Sequence, residues 1–191
     1  MVEVCELTAE RWPALEELFG RAGASNGCWC MYWRLGPAYA RRPRNANRES
    51  LNALVAAGPA PGLIAMDGDH AVGWCQVTAR DDLAWLARRF GNGAVDPGVW
   101  AISCFYVARR NRRVGIARRL AEAAVEHARL AGATAVEAYP VDTHAQRAST
   151  NLFTGTAGMF ASLGFAAVRR VRADRPVMRR ELRVGDHGAR G

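Results

Sequence analysis

A chain of 191 residues, half of them hydrophobic, is long enough to bury a core and fits one domain better than two. Its 26 basic against 18 acidic residues give a net charge of +8, which favours acidic partners. All 26 are arginine, alongside many Ala, Gly and Val, a composition-wide bias; with no recognisable nucleic-acid module beside the charge, nucleic acid is not the expected partner.

No apolar run approaches the length of a membrane span, and the opening MVEVCELTAERWP has no signal-peptide hydrophobic region. The cysteines, Cys5, Cys28, Cys30, Cys75 and Cys104, are odd in number, so a reducing cytoplasm is the expected location, with no membrane partner. A C-x-C without a second Cys/His pair is not a zinc site, and no metal is expected; Cys28 and Cys30 could instead form a redox pair.

Val2–Leu7 alternates as an edge strand does, and Thr8 opens a helix carrying Trp12, Leu15, Leu18 and Phe19. Gly20–Gly27 breaks it. The next segment crowds Trp29, Tyr32, Trp33 and Tyr39 with Arg34, and reads either as the wall of a substrate pocket or as an aromatic mini-core beneath a loop. Asn47–Ala57 is helical in pattern and stops at Gly58-Pro59. Gly62–Met66 and Ala71–Thr78 form a hairpin across Asp67-Gly68-Asp69. Asp81–Phe90 is a short helix, and Gly91–Gly98 a loop.

Trp100–Val107 is apolar and aromatic, as a buried strand is. From Gly115 the period changes: Ile116, Ala117, Leu120, Ala121, Ala124, Ala128 and Ala131 share one stripe, and Gly132 can end the helix. The first helical turn has unpaired N–H groups and partial positive charge, and Arg109, Arg110, Arg112 and Arg113 add to it. An anion, and above all a diphosphate, fits such a turn. Ala135–Val141 is a further strand and Thr156–Leu163 a short helix. Phe165–Arg172 and Pro176–Arg183 form a closing antiparallel pair, which leaves a domain over residues 1–184 and a loose tail over 185–191.

The hexapeptide Arg112-Arg113-Val114-Gly115-Ile116-Ala117 matches R/Q-x-x-G-x-G/A between a strand and a helix, and MFASLGFAAV matches a terminal helix-G-F-strand pattern. Together they resemble the GNAT superfamily of acyl-coenzyme A dependent N-acyltransferases over roughly Leu63 to Leu182. The resemblance implies an α/β (α+β) GNAT fold: a mixed, mostly antiparallel sheet of about seven strands, helices on both faces, splayed between the fourth and fifth strands. It also implies acetyl-CoA as donor, held by Arg112, Arg113, Val114, Gly115, Ile116 and Ala117. The pantetheine then pairs with the backbone of Phe105, Tyr106 and Val107, and amides near Phe105 face the developing oxyanion.

Glu137 stands where some relatives place a glutamate and is the first candidate for general base, the alternative being an ordinary rim carboxylate. The family's acid tyrosine is replaced by Phe160 and its upstream asparagine by Phe153, leaving Tyr139 as a substitute acid. Trp29, Tyr32, Trp33 and Arg34 become the acceptor wall. The implied activity is transfer of an acetyl group to a primary amine of a small molecule through a ternary complex, by a monomer or homodimer. The alternatives are a protein or peptide N-acetyltransferase and a non-catalytic coenzyme-A sensing module.

Overall fold

Alternating and fully apolar segments of the first half pair in sequence. In the computed structural model, which describes residues 1–91, 96–145 and 152–182, β1 (Glu3–Glu6), β2 (Gly62–Asp67), β3 (His70–Ala79) and β4 (Val99–Val107) are successive antiparallel neighbours. β5 (Ala135–Ala138) lies parallel to β4, and β6 (Ala166–Arg172) and β7 (Arg175–Glu181) complete a sheet of order β1-β2-β3-β4-β5-β7-β6. The helices are α1 (Trp12–Phe19), α2 (Tyr32–Leu35), α3 (Arg44–Ala57), α4 (Ala84–Phe90), α5 (Ile116–Leu130) and α6 (Ala157–Ala161). A parallel neighbour needs a crossover, and α5 supplies it between β4 and β5.

Residues of α5 and α6 pack on one face of the sheet, around Cys75, Val77, Ile102, Val136 and Ala138. Those of α1 and α3 pack on the other around Trp74, and α2 and α4 gather about Ala101, Tyr139 and Val177. This is the mixed, splayed sheet with helices on both faces that the sequence implied.

Several boundaries differ from expectation. β5 stops at Ala138 rather than Val141, because Pro140 has no N–H to continue the ladder. The helix expected over Asp81–Phe90 is a 3-10 turn, Arg80–Asp82, followed by α4, the break falling at Leu83. α3 begins at Arg44, directly after Pro43. The tail expected from 185 onward lies outside the described residues.

The apolar stripe of α5, including Ile116, Leu120, Val125 and three alanines, is buried, each large aliphatic side chain contributing about 1.5–3 kcal/mol. The helix rides close to β3 because Gly73 offers no side chain: a Cβ there would stand 2.8 Å from Ile116 Cγ2 and 3.1 Å from Leu120 Cδ1. Gly73→Val is therefore expected to destabilise the chain by about 1–3 kcal/mol in chemical denaturation. It should also weaken any ligand held by the turn preceding α5, since Ile116 belongs to both contacts.

Candidate active site

The segment between β4 and α5 makes a 3-10 turn at Arg109–Asn111, then takes Arg113 to φ +64° and Gly115 to φ +86° before the helix begins. The first helical bond runs from the Arg119 amide to the Gly115 carbonyl, 3.1 Å. Among the described residues, no protein group accepts a hydrogen bond from the amides of Arg113 through Arg118. An ideal Cβ on Gly115 would meet nothing within 4 Å, so the space above the turn is open. Six free donors stand at the positive end of a 15-residue helix, ringed by the exposed Arg109, Arg110, Arg112 and Arg113, an arrangement that suits a multivalent anion.

The same end of β4 opens the sheet. β4 and β5 pair only from Val99–Ala135 to Ile102–Ala138. Just beyond, the register against β3 shifts between Gln76–Cys104 and Val77–Ile102, so that Ser103 bulges. The bulge is pinned on all sides: Ser103 Oγ donates to Gln76 Oε1 at 2.9 Å, Trp33 Nε1 donates to the Ser103 carbonyl at 2.9 Å, and Gln76 Nε2 donates to the Cys30 carbonyl at 3.1 Å.

Past the bulge, residues 153–156 enter the gap. The Phe105 amide donates to the Phe153 carbonyl at 2.6 Å, and Val141 bridges to Thr156. The Phe105 amide, expected to be open to ligand, is thus occupied by the chain itself. Ala108 donates to Val72 on the β3 side; by strand alternation Val107 directs its amide into the gap, where the described residues offer it no acceptor.

A cavity of about 340 Å³ lies against this end of β4, its walls including Cys104, Phe105, Tyr106, Tyr32, Trp33, Tyr39 and Phe153. Of the four expected acceptor-wall residues, Tyr32 and Trp33 line it. Trp29 does not: it turns into the core, stacked on Trp12 at 5.9 Å and edge-on to Phe19 at 5.3 Å. Arg34 points away as well, donating to the Asp82 carbonyl at 3.0 Å. The sequence offered both the wall and the mini-core for this segment; Tyr32 and Trp33 realise the first and Trp29 the second. Its loop holds Ala24, Asn26, Trp29 and Cys30 at positive φ, strain that the surrounding aromatic packing sustains.

Cys28 and Cys30, considered as a redox pair, are not partnered; Cys30 Sγ instead meets Cys104 Sγ at 3.6 Å and accepts from Trp74 Nε1 at 3.1 Å. Burial and the adjacent Cys30 thiol push the Cys28 thiol up to about 11. The hydrogen bond to Cys104, then burial, raises Cys30, and burial raises Cys75. Because folding raises these values, their stabilisation is whole below the free-thiol value of about 8.5 and is lost as pH climbs through the folded values. Melting temperature measured against pH should therefore be level near pH 8 and fall between roughly pH 9 and 11.

Glu137 and Tyr139 come together away from the cavity. Both are buried, and the Tyr139 hydroxyl donates to Glu137 Oε2 at 2.6 Å. Arg80 Nη1 lies 3.5 Å from both carboxylate oxygens, and Arg179 Nη1, directly across the β5–β7 ladder, is 3.4 Å from Oε1. Burial, then the Glu137 charge, raises the Tyr139 phenol well above its usual range. The rim position considered for Glu137 is not where it stands. Among the described residues, no group of three or more His, Cys, Asp or Glu side chains could hold a metal, and no helix is long and apolar enough to cross a membrane.

A family model described as the Acetyltransferase (GNAT) family matches residues 15–159. The chain belongs to the GNAT acetyltransferases. Among solved structures, a GCN5-related N-acetyltransferase from Kribbella flavida is similar at 20% identity, covering 95% of this chain and 98% of its own, with TM-score 0.60. The yncA structure from Salmonella typhimurium, solved with its cofactor acetyl-CoA, shares 15% identity over 97% and 96% of the two chains, TM-score 0.59. The paia N-acetyltransferase from Thermoplasma acidophilum, in complex with coenzyme A, shares 13% over 95% and 99%, TM-score 0.57. No curated protein matches the sequence.

In this GNAT chain, Phe160 is fully buried, its ring 5.0 Å from Phe165 and 6.2 Å from Phe105, so the helix before the Gly164-Phe165 pair brings no hydroxyl to the site. Tyr39 and the loop residues Ala24, Ser25, Asn26 and Cys28 are cavity features that sequence reasoning left out of the site. Tyr39 stood among the clustered aromatics; the loop carried no local signal.

Proposed function

We propose that this chain transfers the acetyl group of acetyl-CoA directly to a primary amine of a small-molecule acceptor, both bound together. One observation carries the reading: the unclaimed amides of Arg113–Arg118 stand at the end of β4 that also floors an aromatic cavity. The free donors and the open space over Gly115 fit a diphosphate, so Arg112, Arg113, Val114, Gly115, Ile116 and Ala117 would hold that of the coenzyme. The bound thioester supplies an acyl group activated toward an amine.

The chain's own part is positioning and proton handling. Val107 offers a backbone amide to a ligand in the gap, and exchange of the Phe105–Phe153 bond for a ligand oxygen would free a second donor beside Tyr106. Tyr32 and Trp33 set the acceptor's plane, while Trp29 and Arg34 hold that wall from behind. The described cavity lining has no carboxylate or imidazole, so the ammonium proton leaves through water and the phenols of Tyr32, Tyr39 and Tyr106. Glu137 and Tyr139 serve by bracing β5 against β7 and the Arg80 turn.

Release of coenzyme thiol, followed with acetyl-CoA and a panel of primary amines beside N-terminal peptides, tests the proposal. Turnover of small amines above background hydrolysis is expected, with peptides poorer. The sensing-module reading draws on the occupied Phe105 amide and on Phe160; tight coenzyme binding with no product from any amine would select it.

A further inference from the structure

A second cavity, of about 240 Å³, shares the wall of Tyr32, Trp33 and Phe153 with the first, and its other side carries Arg89, Arg172 and Arg175. The three arginines converge from separate elements: Arg89 from the last turn of α4, Arg172 and Arg175 from the two sides of the β6–β7 turn. No acidic side chain lines this cavity. Among the described residues, neither Arg89 nor Arg172 pairs with a carboxylate. Arg175 is steadied by Thr154 Oγ1 at 3.2 Å, with Asp174 3.8 Å from its Nε. The first cavity, where the amine must meet the end of β4, has no charged side chain in its lining. The two spaces therefore differ sharply in charge across a partition one aromatic layer thick.

Three guanidinium groups gathered beside a single carboxylate, that of Asp174 behind Arg175, repel one another unless a further anion joins them, and their planar forks match a carboxylate two bonds at a time. We infer that the second cavity is the subsite for an anionic group on the acceptor. The substrate class is then a primary amine carrying a carboxylate, its flat apolar part lying along Tyr32, Trp33 and Phe153. This rests on the proposed acetyltransferase reading and adds to it what the acceptor must carry.

The test uses two matched pairs, 4-(2-aminoethyl)benzoate with phenethylamine and 4-(aminomethyl)benzoate with benzylamine, together with calorimetry of acetyl-CoA. Wild type is expected to show a KM at least tenfold lower for the carboxylated member of one or both pairs. In Arg89→Gln with Arg172→Gln, both exposed positions, that advantage should shrink to under threefold, with acetyl-CoA affinity unchanged. Equal KM values within both pairs, a substitution effect that is the same for charged and uncharged amines, or weakened acetyl-CoA binding in the variant would each overturn the subsite. Acetyl-CoA binding with no turnover of any of the four amines would also overturn it while leaving the donor site standing. Failure of the wild type to bind acetyl-CoA would remove the acetyltransferase reading beneath it.

Discussion

Gly115→Glu should lower the affinity for acetyl-CoA by about a hundredfold or more, near 2.8 kcal/mol, in calorimetric titration. Two effects act in the same direction. The residue has φ +86°, which a side chain adopts at a cost of about 1–2 kcal/mol, and the new carboxylate would enter the open space that a diphosphate would take, repelling it. Gly115→Ala separates the two, keeping most of the backbone cost without the charge, so its affinity should fall between wild type and Gly115→Glu. Neither substitution meets neighbouring atoms within 4 Å at its Cβ, so the fold should persist with a modestly lower melting temperature.

Glu137→Gln should act chiefly on stability, lowering the unfolding free energy by on the order of 3 kcal/mol, because it strips the charge from a buried site that faces two guanidinium groups and a phenol. Arg179 retains Asp96 and Glu181, which limits the loss. Turnover per folded molecule should keep its pH profile. Intact stability with a displaced acid limb would instead restore Glu137 to the role of base, so denaturant melts and the pH–rate curve on the same variant decide between bracing and proton transfer.

The features legible in the sequence were those set within a few residues. Gly115 and the arginines before it, the change of period from Trp100–Val107 to the α5 stripe, and the Asp67-Gly68-Asp69 turn are local, and the strands and helix formed where the pattern put them. Features set by distant partners were not. Glu137 in V-E-A-Y reads as a general base or a rim carboxylate until Arg80, 57 positions away, and Arg179, 42 away, are placed against it. Trp29 and Trp33 look equivalent in the same aromatic run, yet one packs on Trp12 and the other binds the Ser103 carbonyl, a division fixed by unusual φ angles between Gly23 and Cys30. The occupation of the Phe105 amide by Phe153 likewise depends on how a connecting segment re-enters the sheet, which no spacing rule anticipates.

A crystal structure of the chain with coenzyme A bears most directly on the central claim. The account predicts diphosphate oxygens within hydrogen-bond reach of the amides of Arg113–Arg118 and the sulfur beside Phe105, with the Phe105–Phe153 bond exchanged for one to the ligand. A coenzyme whose diphosphate lies elsewhere, with those six amides still facing solvent, would contradict it.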